Sequence, residues 1–270
     1  MISKKTLKQL INDEDITIFF QPIYEVSKRN ILGYEALTRL PEYCENVSPE
    51  LLFKAANTFN LLSELEFLCR KLAIVRFSTL QLSGYLFLNV SPYTLAQADH
   101  PQGKTVEILN SVNILPSQVV IEVTEQFEAQ DHALLKKSLE YYRNLGFKIA
   151  IDDLGTGHSG LMQWAELLPD IVKIDRYFIS ECHTNVVKRE LLRTIFALGA
   201  ATNVDIIAEG IEEPEEFALL EKLGMRFAQG YLLAKPSYNP STKLPKFLHQ
   251  KKVSSKSSKL SSQTLSMNLH

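Results

Sequence analysis

The sequence has few cysteines, almost no net charge and no long apolar run, and each scarcity argues against a class of protein. Its 270 residues include three scattered cysteines without metal-type spacing, which favours reduced thiols in the cytosol. The formal net charge of −2 offers no basic footprint for DNA, RNA or a membrane surface. No apolar run approaches the ~18 residues of a membrane span, and the first residues lack the apolar core of a signal peptide. We therefore expect a cytoplasmic protein without a nucleic-acid polymer or a membrane as partner.

Apolar residues make up 45% of the chain, and many of them lie in eight short runs. The runs read IFFQP, ILGYEALTR, YLFLNVS, VVIEVTE, KIAIDD, IVKID, DIIAEG and FAQGYLL. They are continuous rather than alternating, which is typical of strands buried on both faces. The segments between them repeat apolar residues at three and four positions, as amphipathic helices do. Strand and helix alternating in this way predict an α/β fold, a (β/α)8 TIM-like barrel, and the length fits that fold.

The ends of the chain differ in composition from the rest. We expect a short N-terminal helix within residues 1–16 and the barrel within residues 17–250. Residues 251–270 contain seven serines, four lysines and no acid. Because such a segment can bury little apolar surface, we expect it to be a disordered tail. The sequence leaves no room for a second folded domain and shows no solenoid repeat.

Most of the predicted strands end in a carboxylate, an amide or a lysine. In a (β/α)8 barrel the active site lies at the carboxyl ends of the strands. Oxygen ligands from several strand ends can converge there on Mg²⁺ or Mn²⁺, and a second acid can reach a second ion. Paired metals stabilise both oxygens exchanged in phosphoester hydrolysis. The candidates are Glu35, Asn89, Glu122 and Asp152 for one metal, Asp153 for a second, and Lys173, Asp175 and Glu209 for orienting or deprotonating a water.

Two other interpretations of these residues compete with a metal site. Any single acid is more economically explained by an ion pair with a nearby base. For the whole set this explanation fails, because the strand ends supply far more carboxylates than bases. A lysine at the end of the sixth strand could instead form a Schiff base, as in aldolases. The acids around Lys173 should keep it protonated and therefore unreactive.

Seven motifs extend from FFQPI at 19–23 to QGYLLAKP at 229–236. They include GYEALTR, NVS (89–91), EVTE (122–125), DDLGTGHSG (152–160), KIDR (173–176), AEGIE (208–212) and QGY (229–231). In this order they resemble the EAL-domain phosphodiesterases, which hydrolyse the bacterial second messenger cyclic di-GMP to the linear dinucleotide pGpG. The resemblance covers nearly all of the predicted folded chain. It implies an EAL-domain variant of the barrel, a hydrolase of phosphodiesters and a homodimer.

The resemblance also implies a role for individual residues. It implies two Mg²⁺ or Mn²⁺ ions, with Glu209 as the general base. The metal ligands would be Glu35, Asn89, Glu122, Asp152 and Asp153; Lys173 and Gln229 would join Glu209 at the attacking water; Gln21, Leu37, Arg39 and Asp175 would contact substrate; and Glu125 would anchor the loop after the fifth strand.

The sequence departs from the family pattern in that loop. It has Leu154 where the family usually carries an aromatic residue, and His158, Ser159 and Gly160 where the family usually has Tyr-Ser-Ser. These changes leave the ligand set intact, and we expect His158 to be solvated. A non-enzymatic alternative is a cyclic di-GMP receptor or protein-interaction module, but the acidic motifs that such proteins lose are present. No sensory, receiver or cyclase segment is recognisable, so we expect control by expression, by a regulatory protein or by the dimer.

Overall fold

The computed structural model describes residues 2–95, 103–124, 132–155, 160–245 and 248. Eight strands close into one barrel in the order of the chain, which confirms the predicted fold class. The strands are β1 (Thr17–Glu25), β2 (Asn30–Arg39), β3 (Tyr85–Asn89), β4 (Val119–Thr124), β5 (Lys148–Leu154), β6 (Ile171–Ile174), β7 (Asp205–Ala208) and β8 (Phe227–Ala228).

Helices follow most of the strands and begin at recognisable capping residues. The side chains of Ser48 and Asn185 accept hydrogen bonds from the first free backbone N–H groups of α2 and α9. Pro49 and Pro214 occupy the first helical positions of α2 and α10, where a missing N–H has no penalty. The helices are α1 (Lys4–Asn12), α2 (Pro49–Thr58), α3 (Leu62–Thr79), α4 (Pro92–Leu95), α5 (Lys104–Ser111), α6 (His132–Asn144), α7 (Gly160–Leu167), α8 (Arg176–Ile179), α9 (Val186–Thr202) and α10 (Pro214–Lys222).

The first strand departs from the strict alternation of strand and helix that the sequence predicts. β1 runs antiparallel to both β2 and β8, whereas the other neighbouring strands are parallel. Only residues 26–29 separate β1 from β2, and they form a turn with Arg29 in the left-handed region at φ 55°. A parallel crossover needs about a dozen residues, so this short connection permits only a hairpin. The amino-terminal half of β1 consequently lies at the end of the barrel where the other strands finish.

A layer of buried apolar side chains fills the barrel below that end. Each apolar residue of this layer lies two positions along the chain from one of the polar candidates. Because alternate residues of a strand share a face, the two side chains point to the same side of the strand. The layer contains Ile23, Phe87, Val120, Ala150, Ile171, Ile207 and Phe227. The corresponding polar residues are Gln21, Asn89, Glu122, Asp152, Lys173, Glu209 and Gln229. The register that buries the apolar layer therefore brings the polar residues together above it.

A carboxy-terminal segment closes the barrel where β8 is too short to do so. β8 pairs with β1 only at Tyr24 and Glu25. Nearer the polar end, Phe20 and Ser237 exchange two backbone hydrogen bonds of 2.9 and 3.0 Å. Residues 234–241, called the strap below, thus continue the edge of β1.

The expectations about the chain ends meet the structure only in part. α1 lies within the predicted N-terminal helical segment. The serine- and lysine-rich segment 251–270 lies outside the described residues, so its predicted disorder stays a prediction.

Cys44, Cys69 and Cys182 are all buried and form no disulfide. Within the described ranges, none of the helices has the length and apolar character needed to cross a membrane.

Candidate active site

Four carboxylates from four strand ends surround the ammonium group of Lys173. Its Nζ lies 2.7 Å from Glu122 Oε1, 2.7 Å from Glu209 Oε1, 3.0 Å from Asp152 Oδ1 and 3.4 Å from Glu35 Oε2. Lys173 is 1% exposed, and Glu122 is fully buried. Among the described residues, Lys173 is the one basic side chain paired with this group of acids. One ammonium group cannot compensate four carboxylates, so the site has more acidic groups than basic partners.

Burial and mutual repulsion change the ionisation of these groups. Burial raises the pKa of Glu122 and of Glu209 well above the usual range, although the Lys173 ammonium opposes the rise. Burial also raises the pKa of Asp152. For Lys173, burial acts to lower the pKa, but the acids, Asp152 first, raise it well above its ordinary value. A lysine held this firmly in its charged form is a poor nucleophile, which argues against the Schiff-base interpretation.

Amide side chains hold one of these carboxylates in place. Gln229 Nε2 donates to Glu35 Oε2 at 2.7 Å and to Gln21 Oε1 at 3.1 Å. Asn89 Nδ2 donates to the other oxygen of Glu35 at 3.2 Å. Gln21 in turn donates to the backbone oxygen of Ala234 in the strap, at 3.0 Å. Glu35 is thereby fixed across the junction of β1, β2, β3 and β8.

The oxygen-rich donor set fits hard divalent cations. Ligand oxygens of Glu35, Glu122 and Asp152 lie within 4.8 Å of one another, and so do those of Asp152, Asp153 and Glu209. The second oxygen of Glu122 is buried and has no hydrogen-bond donor among the described residues. A buried carboxylate oxygen without a donor is costly unless a cation is its partner. Both adjoining groups, which share Asp152, offer the oxygen ligands that hard divalent cations prefer.

Asp153 occupies a backbone conformation that few residues other than glycine adopt. Its φ is 57°, and its N–H donates to the Asp152 carboxylate at 3.0 Å. Burial and the neighbouring Asp152 charge raise the pKa of Asp153 to about 7. Left-handed conformations of this kind often mark functional sites. Asp175, which was also expected at the site, uses its carboxylate to accept the backbone N–H of Tyr177 and cap α8.

Leu37 and Arg39 lie two and four residues beyond Glu35, at the carboxyl end of β2. Both line a cavity of about 260 Å³ that also contacts Asn89. Glu66 and Arg70 contribute to its far wall from α3. The arginine guanidinium donates to the backbone oxygen of Thr38 at 2.8 Å and lies over the ring of Phe19. The structure thus places Arg39 and Leu37 in a cavity that borders the predicted metal ligand Asn89.

Two of the predicted site residues lie outside the described ranges, and the sequence predicted no role for one residue at the site. Glu125 and His158 lie outside the described residues, so their roles as loop anchor and solvated residue stay predictions. Phe19 was not singled out from the sequence, although it lies two positions before Gln21 and so shares its face of β1.

The family is established by comparison with known proteins. A model of the EAL domain family matches residues 4–236, so the chain belongs to the EAL domain family. The protein named "Probable cyclic di-GMP phosphodiesterase PdeA" from Escherichia coli strain K12 is 31% identical over 238 residues, which is 86% of this chain and 32% of that protein. The chain spans about a third of the length of the first curated relatives that it matches.

Solved structures of EAL proteins share the fold. A standalone EAL protein from Vibrio cholerae O395, in a form with cyclic di-GMP bound, gives a TM-score of 0.76 at 29% identity and covers 87% of this chain and 98% of that one. A calcium and cyclic di-GMP complex of BlrP1 from Klebsiella pneumoniae gives 0.77 at 28% identity, over 90% of this chain and 60% of that one. A manganese complex of BlrP1 is also similar.

Proposed function

We propose that this chain is a metal-dependent phosphodiesterase that hydrolyses cyclic di-GMP to linear pGpG. The observation that carries the proposal is the group of four carboxylates around Lys173, in which two sets of acids share Asp152. Relatives named as cyclic di-GMP phosphodiesterases and similar structures with cyclic di-GMP bound support the choice of substrate. The proposal includes a cytoplasmic location and a regulatory protein partner.

One group of site residues would bind the metals and the substrate. Glu35, Asn89, Glu122 and Asp152 would hold one cation, and Asp153 would hold a second with Asp152. Bound cations would offset the charge that grows on the phosphoryl oxygens. Arg39 would hold a phosphate through its planar set of N–H donors. Leu37 would contact the substrate beside Arg39, as its place in the same cavity wall allows.

Glu209 and Gln229 would act on the attacking water. A water oxygen attacks one phosphorus in line, the ribose 3′ oxygen leaves, and the water proton passes to Glu209 as general base. Lys173 lies 2.7 Å from Glu209 and keeps its carboxylate oriented. The oxygen of the Gln229 amide is buried without a donor in the described part of the chain, so it can accept a hydrogen bond from the water. Asp175, which caps α8 through the N–H of Tyr177, would contact the substrate.

The first prediction tests activity and metal dependence together. Purified protein with Mg²⁺ or Mn²⁺ should convert cyclic di-GMP to pGpG, as followed by chromatography, and EDTA should stop the conversion. Ca²⁺ should support binding but inhibit turnover, because it is larger and accepts looser coordination. Full activity after exhaustive chelation would contradict the metal assignment. Tight binding without product in any metal would favour the receptor alternative.

A homodimer is the second part of the proposal, and exposed apolar side chains support it. Val187, Leu191 and Leu198 lie at intervals of four and seven on α9, so they share one helix face, and all are exposed. Leu161 and Met162 are exposed on α7, the helix after the loop that follows Asp153. An apolar face of this kind suits a second copy of the same chain, since symmetric dimers bury identical surfaces.

The dimer can be tested by a charge placed on that face. Leu191→Lys should shift the sedimentation coefficient from dimer to monomer. Leu115→Lys is the matched control, because Leu115 is an exposed leucine between α5 and β4, outside α7 and α9. If wild type is monomeric at micromolar concentration, or if both variants behave alike, the proposed interface is wrong.

A further inference from the structure

The side chain of Arg39 is held by an aromatic ring rather than by an acid. Its guanidinium carbon lies 5.4 Å from the centroid of Phe19. Among its described contacts, one N–H donates to the backbone oxygen of Thr38, and no carboxylate pairs with it. A cation–π contact needs no hydrogen-bond acceptor, so it can orient an arginine while leaving N–H donors for a phosphate.

Phe19 is itself held in position from the strap. Its ring packs edge-to-face against Tyr238, with centroids 6.2 Å apart and planes at 62°. Ser237, next to Tyr238, is tied to Phe20 by the two backbone hydrogen bonds that continue β1. The strap therefore fixes Tyr238 against the same strand that carries Phe19.

A second arginine, Arg76, contacts Tyr238. Arg76, in the last turn of α3, lies 3.2 Å from the centroid of Tyr238 and donates to its backbone oxygen at 2.5 Å. Arg39, Phe19, Tyr238 and Arg76 thus form one continuous set of contacts, called the arginine–aromatic stack here. It connects α3 and the strap to the rim of the candidate active site.

We propose that Phe19 is a positioning residue for Arg39, supported by Tyr238 and Arg76, and that the arginine–aromatic stack sets the affinity for a phosphate of the substrate. The inference rests on the proposed function, in which Arg39 binds that phosphate. An arginine free to rotate loses side-chain entropy when it binds, whereas a pre-oriented one loses less. Phe19 should therefore affect substrate binding and leave the chemical step unchanged.

The test compares Phe19→Leu with Phe19→Trp. Leucine removes the ring, so KM for cyclic di-GMP with Mg²⁺ should rise about two- to fivefold, the scale of a partly exposed cation–π contact, with kcat unchanged. Titration calorimetry in Ca²⁺ should show the same loss of affinity without turnover. Tryptophan, which retains an aromatic face, should restore binding. Tyr85→Leu is a matched control, since it removes the ring beneath Lys148 at the opposite end of the barrel.

A double-mutant cycle decides whether Phe19 acts through Arg39. In an Arg39→Met background, which removes the cation, Phe19→Leu should have no further effect on affinity. An equal loss in both backgrounds, or wild-type KM in Phe19→Leu, would overturn the inference while leaving the proposed function intact. Wild-type protein that neither binds nor hydrolyses cyclic di-GMP would overturn both. If Phe19→Leu fails to fold, Tyr238→Leu and Arg76→Gln must show the same dependence on Arg39 for the inference to stand.

Discussion

Replacing Glu209 by glutamine should lower the turnover of cyclic di-GMP by ~10²-fold or more, the scale of a lost general base. Glutamine has nearly the same shape but cannot take a proton from water. Glu209 lies just beyond β7, within 4.8 Å of ligand oxygens of Asp152 and Asp153, and 2.7 Å from Lys173. Because the amide oxygen can still accept from Lys173, the fold and the position of the side chain should be retained. Affinity for cyclic di-GMP in Ca²⁺ should therefore change little.

The control for this variant is another acid on the same connection. Glu212 pairs with Arg176 at the rim and has no described contact with Lys173. Glu212→Gln should retain activity close to that of wild type, as measured by single-turnover formation of pGpG. If Glu209→Gln turned over like wild type, Glu209 would not be the base. If instead its activity recovered at high Mn²⁺, Glu209 would act mainly as a metal ligand.

Much of the site could be predicted from the residues at the strand ends, because two rules of strand geometry determine where their side chains lie. Buried parallel strands finish at one end of a barrel, and alternate residues share a face. The candidates Glu35, Asn89, Glu122, Asp152 and Lys173 follow from those rules, and the structure brings them together. The antiparallel β1 could have been anticipated from the four residues that separate it from β2.

Other contacts depend on how distant segments meet, which no local rule predicts. The Gln229–Gln21 hydrogen bond crosses the junction of β1 and β8, whose register is set by only two pairs of residues. Tyr238 reaches Phe19 because the strap returns along β1, although the two residues lie at opposite ends of the sequence. Contacts of this kind require the closed barrel and not only its individual strands.

The four ion pairs of Lys173 also join segments that are distant in sequence. They are the basis of the second prediction with a large expected effect. Lys173→Met should destabilise the metal-free protein by about 3–5 kcal/mol, since removing one partner leaves buried carboxylates without compensation. Turnover should be lost, because Glu209 and Asp152 lose the donor that orients them. Bound Mn²⁺ should restore part of the melting temperature, since a ligand that binds the folded state stabilises it.

The pH dependence of the Lys173→Met variant follows from the direction of the pKa changes. Without the ammonium, the pKa values of Glu122, Asp152 and Glu209, which burial already raises, should rise further. The folded variant then holds protons that the unfolded chain has released, so its stability should fall as the pH rises above the ordinary carboxyl range. Thermal melts in EDTA across pH 5 to about 8 would measure this slope. Lys148→Met is the matched control, since Lys148 lies at the opposite end of the barrel over Tyr85. A Lys173→Met variant as stable as this control at every pH would show that the carboxylates do not depend on the lysine for compensation.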